Sequence, residues 1–378
     1  MTTIIRKQKT GLFIALLVMI RLSSFGTESG NAPDLQYQAT LLQKEITRYQ
    51  QIQQQGGWQK LTLTKKQYKQ GESAPFIRQL KGRLQATGDW VEDDTAALFS
   101  LKLESAIKKV QRQFGFKENG IVDALLVAAL NVPVQARLQQ LQVNLQRSRT
   151  LPAMQAGRHI IVNIPEYKLH VYENAGQVFE MNVVVGTEKT QTATFSDELT
   201  HIVFSPYWNV PPSIVKNEIV PAMRRNRRYL ANNGYEQTGT ENGLPVIRQK
   251  PGSKNSLGLV KFLFPNDHAI YFHDTPAKTM FNNRIRAYSH GCVRLAEPAK
   301  LAEYLLANEP SWTPTKISDA MNSGKEQWVK LSAPVPVSII YLTAWVDNEG
   351  VLNFRDDVYE MDKGLPVAGV GSRNTKEA

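Results

Sequence analysis

The apolar pattern of this 378-residue chain changes period at His159. Before that point apolar residues recur at helical spacing, as in Ile77, Leu80 and Leu84, then Leu103, Ile107, Val110 and Phe114. After it, Phe179, Met181, Val183 and Val185 alternate with Glu180 and Asn182, as in a strand with one buried face. A stripe that repeats about every 3.6 residues buries a helix face, and one that repeats about every 2 buries a sheet face. The chain is therefore expected to be α+β and multidomain, helical first and β-rich afterwards.

In the helical half, Gln36–Gln55 reads as one helix stopped by Gly56-Gly57. Residues 75–133 read as a small three-helix domain, with Gly88 and Gly115 as stops and Asp123 opening the run Ala124–Leu130. Residues 134–155 then form a connector helix with Leu138, Leu141 and Leu145 on one stripe. The β half spans 156–360, with strands expected at Ile160–Ile164, Leu169–Tyr172, Gln177–Val185, His201–Phe204, Leu259–Phe264 and Ala269–His273. Two more, Val337–Val346 and Val351–Phe354, are joined by the turn Asp347–Gly350. With helices after Ala296 and Pro314, this is a mainly antiparallel, sandwich- or barrel-like domain. Between about 215 and 256 the strand signal fades, giving an insertion of helical and loop character with Arg224, Arg225, Arg227 and Arg228. Residues 27–74 remain a helical and linker region, and 361–378 a polar tail.

Arg6, Lys7 and Lys9 precede the apolar run Gly11–Ile20, which small residues follow up to Gly26. This pattern reads as a secretory signal or N-terminal anchor over 1–26. The run is shorter than the ~20 residues that span a bilayer, and no later segment qualifies, so the membrane is met only through this N-terminus. A periplasmic or cell-envelope location follows. Net charge of +11 favours an acidic envelope partner over nucleic acid, with a merely solvated basic surface as the alternative.

Cys292 is the only cysteine, so it has no intramolecular disulfide partner and is either a buried inert group or a reactive thiol. Thiol attack on an amide needs a thiolate, a base and donors for the oxyanion. His273, 19 positions earlier, shares a strand face with Tyr271, opposite Ile270 and Phe272, and so faces a groove. Gly291 permits a tight turn before the thiol, so that backbone N–H groups converge. His290 is the rival base, but lies only two residues from Cys292. Asp274 faces away from His273 if the strand is regular, which leaves a backbone carbonyl to orient the ring. His159, His170, His201 and His268 lack metal-ligand spacing, so neither metal nor cofactor is expected.

His273, fifteen intervening residues, then Ser289-His290-Gly291-Cys292 resembles the signature of the L,D-transpeptidase (YkuD-type) catalytic domain. Ser205–Ile214, Phe264-Pro265-Asn266 and Ile270–Pro276 agree with it, and the chain as a whole resembles the YcbB-like branch. The resemblance implies a peptidoglycan cross-linking enzyme. Its cysteine attacks the amide after the third residue of a tetrapeptide stem and expels D-alanine. A side-chain amine of another stem then resolves the thioester into a 3→3 cross-link. Mapped by motif, Cys292 is the nucleophile and His273 the base. Gly291 and Tyr271 furnish the oxyanion hole with the Cys292 N–H, and Ser289 and His290 shape the turn. Arg294, Tyr288, Trp208 and Asn209 are candidate substrate contacts, with a structural role for Arg294 equally open. Carbapenem-type β-lactams are implied inhibitors.

The three-helix unit resembles the peptidoglycan-binding domain usual in that branch, through Leu80–Leu84, Phe114-Gly115-Phe116 and Ala129–Pro133. It departs from the family pattern at Asn119–Leu126, which separates retention of the fold from retention of glycan affinity. The insertion matches the position of a substrate-capping subdomain, which would give its arginines a lid role, with a solvated helix face as the alternative. Hydrolysis by the same site, or wall binding without catalysis, are the alternatives.

Overall fold

The computed structural model describes residues 35–151, 156–174 and 176–363. The expected N-terminal signal and residues 364–378 of the expected tail lie outside them. Among the described residues no helix is long and apolar enough to cross a membrane.

The first half holds α1 (Leu35–Gln54), β1 (Gln67–Tyr68), α2 (Pro75–Ala86), α3 (Leu101–Gln113), β2 (Val122–Asp123), α4 (Ala124–Leu130) and α5 (Val134–Ser148). Helices α2, α3 and α4 close around Ile77, Leu80, Leu103, Ile107 and Leu126. Ser100 caps α3 and Asp123 caps α4, each accepting a hydrogen bond from an N–H three residues on. The aromatic faces of Tyr68 and Phe76 stack at 4.6 Å beside the two-residue ladder β1–β2.

The second half contains β3 (Arg158–Asn163), β4 (Lys168–Glu173), β5 (Gly176–Gly186), β6 (Phe195–Phe204) and β7 (Trp208–Asn209). A helical stretch follows: α6 (Pro212–Ile214), a π-turn (Val215–Ile219), α7 (Val220–Arg225) and α8 (Tyr229–Asn232). Next come β8 (Tyr235–Glu241), β9 (Leu244–Gln249), β10 (Val260–Leu263), β11 (Phe272–His273), β12 (Ala287–Ser289) and β13 (Val293–Leu295). The chain closes with α9 (Pro298–Leu305), α10 (Pro314–Asn322), β14 (Gln327–Ile340), β15 (Ala344–Val346) and β16 (Leu352–Phe354).

Nine strands form one sheet in the order β12-β5-β13-β11-β10-β6-β14-β3-β4, and β4 also pairs with β5, closing it. Most pairings are antiparallel, with β14–β3, β11–β13 and β12–β5 parallel. Met181, Val183 and Val185 point inward with Ile202, Phe204, Phe262, Phe272 and Val293, and α9 and α10 cover this core through Leu301, Leu305 and Ile317.

Three local features differ from the sequence expectations. The insertion is helical only as far as Asn232. The rest is the hairpin β8–β9, which joins β7 in a three-stranded sheet. Its turn is Asn242-Gly243, both at positive φ (49° and 77°), the Asn-Gly signal of a two-residue hairpin. The strand expected at Ala269–His273 shrinks to Phe272–His273. Ala269 sits at φ 54°, and the Asn266 side chain ties the preceding turn by accepting from the Ile270 N–H and donating to the Ile270 carbonyl. The expected strand Val337–Val346 breaks between Ile340 and Ala344. Its second part pairs only with β16 and leaves the large sheet. That hairpin packs on α1 and α5 instead, where Gln38 bonds both backbone groups of Val346 and Asn144 bonds Thr343.

Candidate active site

The site follows from strand register. In the parallel pair β11–β13, Phe272 lies opposite Val293 and His273 opposite Arg294. Side chains alternate faces along each strand, so Phe272 and Val293 enter the core while His273 and Arg294 share the other face. Continuing that phase by one residue brings Tyr271 and Cys292 to the same face. On the far side of His273, β10 places Lys261 opposite it. A thiol, an imidazole, a phenol and two cations are thus collected by the alternation rule alone.

His273 is buried, and its Nδ1–H donates to the Asp274 carbonyl at 2.5 Å. A carbonyl only accepts, so this bond fixes the tautomer and leaves Nε2 with its lone pair free. Asp274 is itself held: its carboxylate accepts from Lys278 Nζ at 2.6 Å and from the Leu259 N–H at 2.9 Å. Burial, then the neighbouring Arg294, push the His273 pKa down to about 3, so the ring is neutral at ordinary pH.

Cys292 is half-buried, and its Sγ–H points at the Ala269 carbonyl, 3.7 Å away. Burial pushes the thiol pKa up, opposed by hydrogen bonds from the Tyr271 N–H and hydroxyl and by the Arg294 charge. Trp208 of β7, the strand paired with β9 of the insertion's hairpin, neighbours the Tyr271 hydroxyl. No hydrogen bond joins Cys292 to His273; the resting pair is a neutral thiol beside a neutral imidazole.

The turn before the thiol is stapled from several directions. Gly291 adopts φ 118°. The Ser289 hydroxyl donates to the Cys292 carbonyl at 2.5 Å and accepts from the Gly291 N–H at 3.1 Å. The Gly291 N–H is therefore already engaged, while the Cys292 N–H has no acceptor among the described residues. Thr192 donates to the Gly291 carbonyl at 2.7 Å and accepts from the Gly186 N–H at 2.9 Å. The Tyr359 hydroxyl closes this arrangement, donating to the Gly186 carbonyl at 2.8 Å and accepting from the Thr192 N–H at 3.2 Å.

Arg294 is held by Met280 Sδ at 3.3 Å, has a buried Nε with no partner, and makes no ion pair among the described residues. His290 turns outward, its Nε2 2.9 Å from Glu218 in the π-turn of the insertion. Tyr288 is exposed, its hydroxyl accepting from Asn283 at 3.3 Å. Asn209 is an exposed residue of β7, beside Trp208. Sequence reading missed Thr192, Tyr359, Lys261 and Glu218, which meet the site through long-range pairing that no local spacing encodes. Among the described residues no group of His, Cys, Asp and Glu could hold a metal ion.

Residues 157–331 match the family model YkuD, described as the L,D-transpeptidase catalytic domain. Residues 73–130 match the model described as "Putative peptidoglycan binding domain". Over residues 157–331 the chain is thus similar to a YkuD L,D-transpeptidase catalytic domain. A curated Haemophilus influenzae protein named "Putative L,D-transpeptidase" is 32% identical over 247 residues, covering 61% of this chain. The chain spans about half the length of that relative (50%).

Solved structures similar to it include an L,D-transpeptidase from Xylanimonas cellulosilytica, at 13% identity and TM-score 0.23, covering 74% of this chain and 100% of that one. Another is the catalytic domain of an E. faecium L,D-transpeptidase acylated by ertapenem, at 10% identity and TM-score 0.24, covering 50% of this chain and 100% of that one.

Proposed function

We propose that this protein is a peptidoglycan L,D-transpeptidase of the cell envelope that forms 3→3 cross-links through a Cys292 thioester. The observation that carries the reading is the shared face of Cys292, His273, Tyr271 and Arg294, within a domain of that family. As the donor amide meets Sγ, the thiol proton passes to His273 Nε2 and the new C–S bond forms. The oxyanion takes hydrogen bonds from the Cys292 and Tyr271 N–H groups. Collapse breaks the C–N bond, and His273 returns its proton to the departing D-alanine amine. The side-chain amine of a second stem then attacks the thioester, giving its proton to His273 as the amide bond forms and the thiolate leaves. Arg294, a cation with no carboxylate partner, offsets the negative charge that develops at the thiolate and draws the donor carboxylate. Tyr288, Trp208 and Asn209 border the path by which stems arrive.

Incubation of the protein with sacculi, followed by muropeptide analysis, tests this reading. New 3→3 dimers are expected. Trimmed tripeptides alone would establish hydrolysis, and no change in either would overturn an enzymatic role. A carbapenem is expected to add one covalent equivalent at Cys292 by intact-protein mass spectrometry.

A further inference from the structure

A polar groove runs between the helical domain and the sheet. It consists of two joined cavities of about 560 and 400 Å³ that share Arg112, Glu118, Glu166, Lys168 and Arg355. Each lies within the ~300–1,000 Å³ usual for ligand sites. The end of α3 forms one wall with Arg112 and Phe116, and β4 and β5 form the other with Lys168, His170, Glu180 and Asn182. Trp345 of the β15–β16 hairpin lines the far end, and Arg284 and Arg286 line the near end.

The groove and the thiol lie on one face of one sheet. Val184 of β5 is opposite Arg294, so Val184, Asn182 and Glu180 point the same way as Arg294, Cys292 and His273. Continuing that register sets Gly186 at the level of Cys292. Four residues, about 13 Å of strand, therefore separate Asn182 at the groove from the nucleophile. The segment Arg284–Arg286 forms the sill between them, with Arg286 donating to the Tyr167 and Val183 carbonyls and to Asn182 Oδ1.

Its chemistry points to a neutral, hydroxyl- and amide-rich ligand. Cations and carboxylates are mixed along the lining, with Asn163, Asn182 and Asn353 among them, and Trp345 and Tyr172 contribute aromatic surface to it. His170 Nδ1 is buried without a hydrogen bond, 3.5 Å from Glu180 Oε2. Peptide stems with free carboxylates would meet Glu166, Glu180 and Asp347, whereas a saccharide finds donors, acceptors and an aromatic platform without net charge.

We propose that this groove holds the glycan strand that bears the donor stem, so that sugar recognition is shared between the helical domain and the catalytic sheet. The proposal rests on the peptidoglycan reading above. Three extended stem residues span about 10 Å, which with the link to the sugar covers the distance from the groove to Cys292.

The test uses the Cys292→Ala protein and peptide-free glycan strands as the probe. Arg112→Ala and Trp345→Ala are each expected to weaken glycan binding about tenfold, and adding isolated tetrapeptide is expected not to compete. Unchanged glycan binding in Arg112→Ala, which lies on the exposed rim, would overturn the proposal, as would displacement of bound glycan by tetrapeptide. In the active enzyme the same substitutions are expected to raise KM for glycan-linked stems more than for free tetrapeptide. Equal effects on both overturn the groove and leave the cross-linking reading standing. Activity on neither substrate in the unmodified enzyme overturns that reading, while glycan binding still decides the groove.

Discussion

His273 and Arg294 lie directly opposite each other on neighbouring parallel strands, so a buried imidazole and a guanidinium without an ion pair among the described residues share the face of Cys292. Burial and that cation both disfavour imidazolium, which reserves the ring for taking a proton. The same cation favours thiolate over thiol. One side chain thereby poises two partners in opposite directions.

Replacing Cys292 by Ala is expected to abolish cross-linking, by about 10³-fold or more, with an unchanged melting temperature. Carbapenem adduct formation should vanish in parallel. Residual turnover near the unmodified level would remove Cys292 from the nucleophile's role.

Tyr271→Phe deletes the hydroxyl that supports the thiolate but keeps the backbone N–H. The thiol pKa should rise further, read as an alkaline shift in the pH dependence of iodoacetamide alkylation. Trp208→Phe, which removes a polar neighbour of that hydroxyl, should shift it less. A larger shift for Trp208→Phe than for Tyr271→Phe would contradict this order.

Acid should destabilise the fold through His273. The unfolded ring binds its proton below its ordinary pKa of about 6.5, whereas the folded ring waits until about 3. Stability from this residue is complete above about 6.5 and is lost as pH falls toward 3, on the order of 2 kcal/mol by pH 4.5. Urea midpoints of the unmodified protein at pH 7 and pH 4.5 should therefore separate more than those of His273→Gln. The acid limb of kcat/KM is likewise expected well below 6.5.

Gly186→Ala should be more harmful than Gly291→Ala. A Cβ on Gly186 would lie 2.0 Å from the Thr190 carbonyl oxygen, a backbone atom, so the Thr187–Thr192 loop must move. At Gly291 the nearest atom is 3.6 Å away, and the penalty is backbone strain at φ 118°, about 1–3 kcal/mol. Both should lower turnover. Gly186→Ala should lower the melting temperature further than Gly291→Ala, measured by differential scanning calorimetry.

Much of the architecture was legible because burial imposes a period. Leu103, Ile107 and Val110 announced α3, Met181, Val183 and Val185 announced β5, and Asp123 marked the start of α4. The face shared by Tyr271 and His273 was legible for the same reason, even though the strand itself is only two residues long. What period does not encode is partnership. Nothing in Ala344–Phe354 says that its hairpin docks on α1 and α5, because an apolar stripe is silent about which neighbour covers it. The hairpin of the insertion was missed for another reason. β8 is exposed along much of its length, so the Asn242-Gly243 turn was its clearest sign. The supports of the turn before the thiol, Thr192 and Tyr359, lie 100 residues before and 67 after Cys292. Only the closed sheet brings them together.

Tyr359 gives that closure a temporal meaning. The hydroxyl that fastens Gly186 to Thr192, and through Thr192 the carbonyl of Gly291, belongs to a segment synthesised well after the thiol. A chain that has emerged only as far as Cys292 has its thiol but lacks the buttress that shapes the turn. On the cross-linking reading, a nascent or clipped copy ending before Tyr359 is expected to present the thiol on an unbraced turn.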